Sequence, residues 1–200
     1  MFEKLEKDTE KVINDSKSGT RFFGSYSNEY RTETYTNKKG KKRNRRVYIG
    51  DDYIIDDEKY KQKLVLILVL NILALAIMFN AGVKYVEFNY LWYINVFQMT
   101  YLIVSIYYIS LAVQGILLDK KLTHKDFDTT LGRMKSYIPY LVIMLIIIVV
   151  LCIFNMFTSS GFTSDNLFNV LYYLISTVLD LLIIRIVKPI KYHVQKKGKK

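Results

Sequence analysis

Four blocks of this chain are free or nearly free of charge and long enough to cross a lipid bilayer, and no other feature restricts the fold so strongly. A transmembrane helix needs about 20 predominantly apolar residues, rising ~1.5 Å each, to cover a hydrocarbon core of ~30 Å. The blocks give spans at 64–81 (LVLILVLNILALAIMFNA), 90–118, 138–157 and 167–187. Only the fourth holds charges within its bounds, Asp180 and Arg185. The charge-free run that contains the second span starts at Phe88 and would be about 46 Å long as a helix, too long for one straight crossing and too short for two. Its start, NYLWYINVF, has the composition of an interfacial aromatic belt, so that end is expected at headgroup level or on a tilted helix.

The overall composition, 51% hydrophobic and 24% charged, conceals this segregation. Residues 1–63 carry 16 Lys or Arg and 12 Asp or Glu, whereas 64–189 are mostly Leu, Ile, Val, Tyr and Phe. The expected organisation is a polar head at 1–60, a four-helix membrane domain at 61–190 and a basic tail at 191–200. The fold class is an all-α polytopic membrane protein with a small N-terminal α+β head. No apolar core follows the first residues as in a cleavable leader, so the first span is expected to act as its own insertion signal.

Orientation follows from the basic residues, which are retained on the cytoplasmic side of short loops. The head, the connection between spans two and three, and the tail hold 28 of the 29 Lys and Arg; the other two connections hold only Lys84. Both termini are therefore expected in the cytoplasm, in a multi-pass protein of the plasma (cell) membrane.

Within the head, residues 2–13 suit a short amphipathic helix. The stretch RTETYTNKKGKKRNRRVYIGDDYII reads as a β-hairpin, roughly 31–36 against 46–49, followed by an extended stretch at 53–55. Asp56 or Asp57 then caps a helix that runs into the first span. Seven of the nine residues at 38–46 are basic: Lys38, Lys39, Lys41, Lys42, Arg43, Arg45 and Arg46. They suit a solvated hairpin tip, or contact with anionic headgroups or a protein partner. Without a recognisable module or aromatic stacking pattern beside them, nucleic acid is not expected. The acidic run DDYIIDDE is a candidate partner for the tip and lacks the ligand spacing of a calcium loop.

Familiar membrane chemistries find little here. A cysteine peptidase needs a thiolate activated by histidine, yet Cys152 lies mid-span and His124 in a connection. An intramembrane aspartyl protease needs two opposed aspartates, and Asp180 is alone. A single cysteine excludes an intramolecular disulfide and a CxxC pair, and the two histidines, His124 and His193, do not form a zinc motif. No enzyme activity, cofactor or metal is expected.

The remaining signal is polar residues inside the spans. Asn169, Tyr173, Ser176 and Asp180 recur at helical spacing and form one stripe on the fourth span. Counted from the nearest cytoplasmic charge, Asp180, Gln114 and Asn71 all lie roughly 8–12 Å inside the boundary. This intramembrane cluster, with Ser176, has two readings: Asp180 hydrogen-bonded by Gln114 and Asn71 as a fastener, or a protonatable or cation-binding group below a cytoplasmic cavity. Arg185 is rotated ~140° from Asp180 and is expected to snorkel. The third span lacks a polar stripe and is expected to have the most lipid contact, with Pro139 in its first turns. The expected function is a non-catalytic accessory or scaffold subunit of a membrane complex, with a protein partner or as a homo-oligomer, or alternatively a small ion- or proton-coupled carrier or channel.

Overall fold

A computed structural model of the chain describes residue 26 and residues 29–36, 41–83 and 87–196. The expected helix at 2–13, Lys38, Lys39 and Lys84 lie outside the described residues.

The chain is mostly helical. Its four long helices are α1 (Tyr60–Val83), α2 (Trp92–Leu117), α3 (Arg133–Asn155) and α4 (Ser164–Val187). Each is long and apolar enough to cross a membrane, which is compatible with a multi-pass membrane protein. A helical turn at His124–Phe127 and a wider turn at Asp128–Gly132 lengthen α3 at its start, so that helical structure runs from His124 to Ser159. The expected span at 138–157 lies inside this longer helical stretch, whose start THKDFDTTLGRMKS is polar. Thr123 caps the extension, its Oγ1 accepting the Asp126 N–H at 3.2 Å. Pro139 consequently lies well inside the helix rather than in its first turns.

The helices pack in cyclic order, α1 on α2, α2 on α3, α3 on α4 and α4 on α1. Each seam steps alternately by three and four residues: Leu64, Ile67, Asn71, Ala74, Met78 and Ala81 on α1, and Ile94, Gln98, Tyr101, Ser105 and Tyr108 on α2. Met134, Ile138, Leu141, Leu145, Ile148, Cys152 and Asn155 follow the same rule on α3. A 3.5-residue repeat keeps one face toward its neighbours along the whole helix, as in antiparallel bundles. The opposite faces are apolar and exposed, for instance Val69, Phe79, Ile103, Ile146 and Val178. The interior thus mixes polar with apolar side chains while the outward faces are apolar, unlike the polar surface of a water-soluble bundle.

One expectation changes here. The most apolar window of α3 is the most buried of the four, at 44% against 33% for α1 and α2 and 39% for α4, so α3 does not have the most lipid contact. Where both lipid and core are apolar, an all-aliphatic sequence does not distinguish between them. Cys152 is a buried free thiol in that seam.

The up-and-down topology brings the start of α1, the end of α2, the start of the α3 extension and the end of α4 to one end. The flanking segments pair there as a three-stranded sheet with β3 (Asp52–Ile55) between β4 (Lys121–Thr123) and β5 (Tyr192–Gln195). Ile55 N donates to Lys120 O at 3.0 Å and Asp56 N to Lys191 O at 3.2 Å. Tyr53 stacks on His124 and Phe127, with ring centroids 5.2 and 4.6 Å away.

The described residues before Tyr53 belong to a unit separate from Tyr53–Gln195. Its described part is an antiparallel hairpin of β1 (Tyr30–Thr36) and β2 (Lys42–Tyr48), in register from Tyr30 opposite Tyr48 to Thr36 opposite Lys42. The second strand begins four residues before its expected start at Arg46, so Lys42, Arg43 and Arg45 belong to the strand with Arg46 rather than to the turn. The β-branched and aromatic Thr32, Thr34, Tyr35 and Val47 support this pairing.

Candidate functional site

The seam of α4 carries Asn169, Tyr173, Ser176 and Asp180, all fully buried. The stripe recognised in the sequence therefore faces the bundle interior. It divides into two layers with different hydrogen-bonding character.

In the layer nearer the α1–α2 connection the network is dense. Gln98 Nε2 donates to Tyr173 Oη at 2.6 Å and to Asn89 Oδ1 at 3.3 Å. Tyr173 Oη donates to Asn89 Oδ1 at 3.2 Å, and Asn169 Nδ2 to the same oxygen at 3.3 Å. Asn89 Nδ2 closes the circuit on the Ala81 carbonyl at 2.8 Å. Gly82 allows this approach: a Cβ there would lie 3.2 Å from Gln98 Oε1. Further out, Asn155 Nδ2 donates to Tyr93 Oη at 2.6 Å, tying α3 to the aromatic start of α2.

The deeper layer is centred on Asp180. Its Oδ2 accepts a 3.0 Å hydrogen bond from Tyr101 Oη. Ser176, one turn before it, donates to the Ala74 carbonyl of α1 at 3.1 Å and to Tyr172 O of its own helix at 3.1 Å. Asp180 Oδ1, both amide atoms of Asn71 and Tyr108 Oη are buried without a hydrogen-bond partner among the described residues. A buried polar atom left unmatched costs about 1–3 kcal/mol, so this layer is the less saturated of the two.

Of the residues expected around Asp180, Asn71 and Ser176 line the interior and Gln114 does not. Gln114 is exposed, next to the buried Gly115 whose missing side chain admits Leu64 and Tyr60 of α1. Depth alone placed Gln114 correctly along the axis but left its direction around the helix undetermined. Tyr101 and Tyr108 occupy the position instead, on the face that Gln98 and Ser105 share. Applying the stripe argument to the second span would have found them. Arg185 is exposed and takes no part.

The basic positions of the hairpin that are described, Lys41, Lys42, Arg43, Arg45 and Arg46, are all exposed. Arg45 Nη2 reaches Glu33 Oε2 at 3.4 Å and lies 5.9 Å from the Tyr35 ring centroid. Asp56 and Asp57 have local partners. Asp57 pairs with Lys63, and the Lys63 ammonium holds its carboxyl below the usual carboxylate range. Asp56 Oδ1 lies 2.6 Å from His193 Nδ1, joining β5 to the end of β3. Asp57 Oδ1 also accepts the Lys59 N–H at 3.0 Å just before α1 begins.

Chemically, the interior combines one carboxyl group with phenols, amides and hydroxyls, and α3 contributes a mostly apolar seam that ends in Asn155. Among the described residues no three His, Cys, Asp or Glu side chains gather as metal ligands. No protein-family model, no curated protein and no solved structure matches this chain.

Proposed function

We propose that this chain is a non-catalytic accessory or scaffold subunit of a membrane complex, embedded in the cell membrane with both termini and the α2–α3 connection in the cytoplasm. The observation that carries the reading is the hydrogen-bonded interior: Tyr101 holds Asp180, and Gln98, Asn89, Asn169 and Tyr173 hold one another, all within the bundle. Such bonds fasten helices that have no hydrophobic drive to associate in lipid. They leave the surfaces, rather than the interior, to meet partners.

The basic hairpin then supplies the docking surface for anionic headgroups or a protein partner. Each Lys or Arg close to an anionic surface contributes about 1 kcal/mol of attraction. The lopsided distribution of Lys and Arg supports the orientation.

A second reading, a small ion- or proton-coupled carrier, is favoured by the unmatched atoms around Asp180. One pair of experiments separates the two. Purified protein in liposomes is expected to carry no ion or proton flux above empty liposomes; flux that Asp180→Asn abolishes would overturn the subunit reading. In a Cys152→Ala background, a cysteine at Gly161 is expected to react with an impermeant reagent on intact cells. One at Lys61 is expected to react only after permeabilisation, and the reverse pattern would overturn the orientation.

A further inference from the structure

The unmatched atoms of the deeper layer come to one level from three different helices, and two independent registers fix that level. Gly115 of α2 packs on Leu64 of α1. Because the two helices run in opposite directions, two turns onward from Leu64 is Asn71 and two turns back from Gly115 is Tyr108. Ser176 of α4 bonds the Ala74 carbonyl of α1. One turn back from Ala74 is again Asn71, and one turn on from Ser176 is Asp180.

The charge at this level has no basic counterpart. Among the described residues of the long helices no Lys or Arg is buried: Arg185 is exposed, Lys63 is engaged by Asp57, and Lys135 donates to Ile190 O at 2.9 Å at the sheet end. An isolated carboxylate in such a place has to be neutralised by a cation or a proton. The available donors are hard oxygens, one carboxylate with neutral amide and phenol groups. That set balances a single positive charge, whereas divalent ions call for more carboxylates.

We propose that Asp180, Asn71 and Tyr108 form a buried binding site for one monovalent cation, of which Na+ is the probe, bridging α1, α2 and α4. The site deepens the second reading by naming its ion class, and rests on that reading's cluster. The ion serves equally as a fixed structural ion of a scaffold. Binding is therefore measured without flux, and its outcome is separable from that of the liposome assay.

The test uses the full-length purified protein in nanodiscs, melted in NaCl, KCl or choline chloride at equal ionic strength. Sodium is expected to raise the melting midpoint saturably, by about 5–10 °C at a concentration about 100-fold above its dissociation constant. Asp180→Asn is expected to abolish the sodium-specific rise. Asn71→Leu and Tyr108→Phe, which keep the carboxylate, are expected to weaken the sodium midpoint about tenfold each, and they serve should Asp180→Asn fail to fold. Equal midpoints in all three salts, or a sodium rise that survives in Asp180→Asn, would overturn the proposal. So would an infrared band of a protonated carboxyl, absent in Asp180→Asn and unmoved by sodium, because a permanently held proton would then occupy the ion's place.

Discussion

Tyr101 on α2 donates a 3.0 Å hydrogen bond to Asp180 on α4, and those helices stand at opposite corners of the bundle, each packed mainly on α1 and α3 instead. Gln98 and Tyr173 repeat the diagonal one layer away. The polar column therefore runs along the axis, where long side chains from opposite helices meet. It connects helices that side-by-side packing alone leaves apart.

Removing the Tyr101 hydroxyl should leave Asp180 Oδ2 without its donor. Tyr101→Phe is expected to destabilise the bundle by about 1–2 kcal/mol, the upper range for side-chain hydrogen bonds between membrane helices. In an Asp180→Leu background the same change should cost less than half as much, since no carboxyl remains to satisfy. Reversible unfolding in mixed micelles with increasing SDS, followed by circular dichroism, checks the pair as a double-mutant cycle. Equal losses in both backgrounds would show that the bond contributes no coupling.

The four helices were legible because length and hydropathy suffice for an apolar block of twenty residues, and the stripe from Asn169 to Asp180 because its polar members stand out against aliphatics. The partners were harder. Gln114 drew attention as a polar residue at the right depth, whereas Tyr101 and Tyr108 resemble the many tyrosines of their span until their shared face with Gln98 is considered. The start of the third helical segment was obscured by its polar residues. The strands β4 and β5 are three and four residues long, and only the meeting of helix ends from distant parts of the sequence makes them strands.

The layer around Asn89 depends on one phenol that both accepts and donates. Tyr173→Phe removes the acceptor of Gln98 and a donor to Asn89 while preserving the ring. The expected loss is about 1–2 kcal/mol in the same unfolding assay, since two buried polar groups lose partners. Gln98→Leu should cost less in the Tyr173→Phe background than in the parent, because the Gln98–Tyr173 bond is then already absent. Equal costs of Gln98→Leu in the two backgrounds would contradict the network as drawn.

Close approach of α1 and α2 depends on Gly115. A Cβ there would lie 2.9 Å from Leu64 Cδ1 and 3.4 Å from Tyr60 Oη, so alanine requires the Leu64 methyl to shift slightly and a larger side chain cannot be accommodated. Gly115→Ala is expected to cost under about 1 kcal/mol and Gly115→Leu about 1–3 kcal/mol. Leu64→Ala should partly rescue Gly115→Leu by returning volume at the contact. Absence of rescue would place the strain elsewhere along the seam.

At the start of α1 the Lys63 ammonium, followed by the Lys59 N–H, stabilises the charged form of Asp57 and holds its carboxyl below the ordinary value. The unfolded chain then binds more protons than the folded one over that interval, and stability rises with pH there. The contribution is complete above the unfolded carboxylate value of about 3.9 and is lost as pH falls through the lower folded value. Because the pair is partly solvated, salt should diminish the effect. Melting midpoints measured from about pH 2.5 to 5, spanning that reference value, should fall less steeply toward acid in Asp57→Asn than in the parent, and Lys63→Met should flatten the curve in the same direction. Parallel curves for parent and Asp57→Asn would mean that the carboxyl senses the same environment folded and unfolded, and that the helix start is held by the Lys59 and Tyr60 backbone bonds alone.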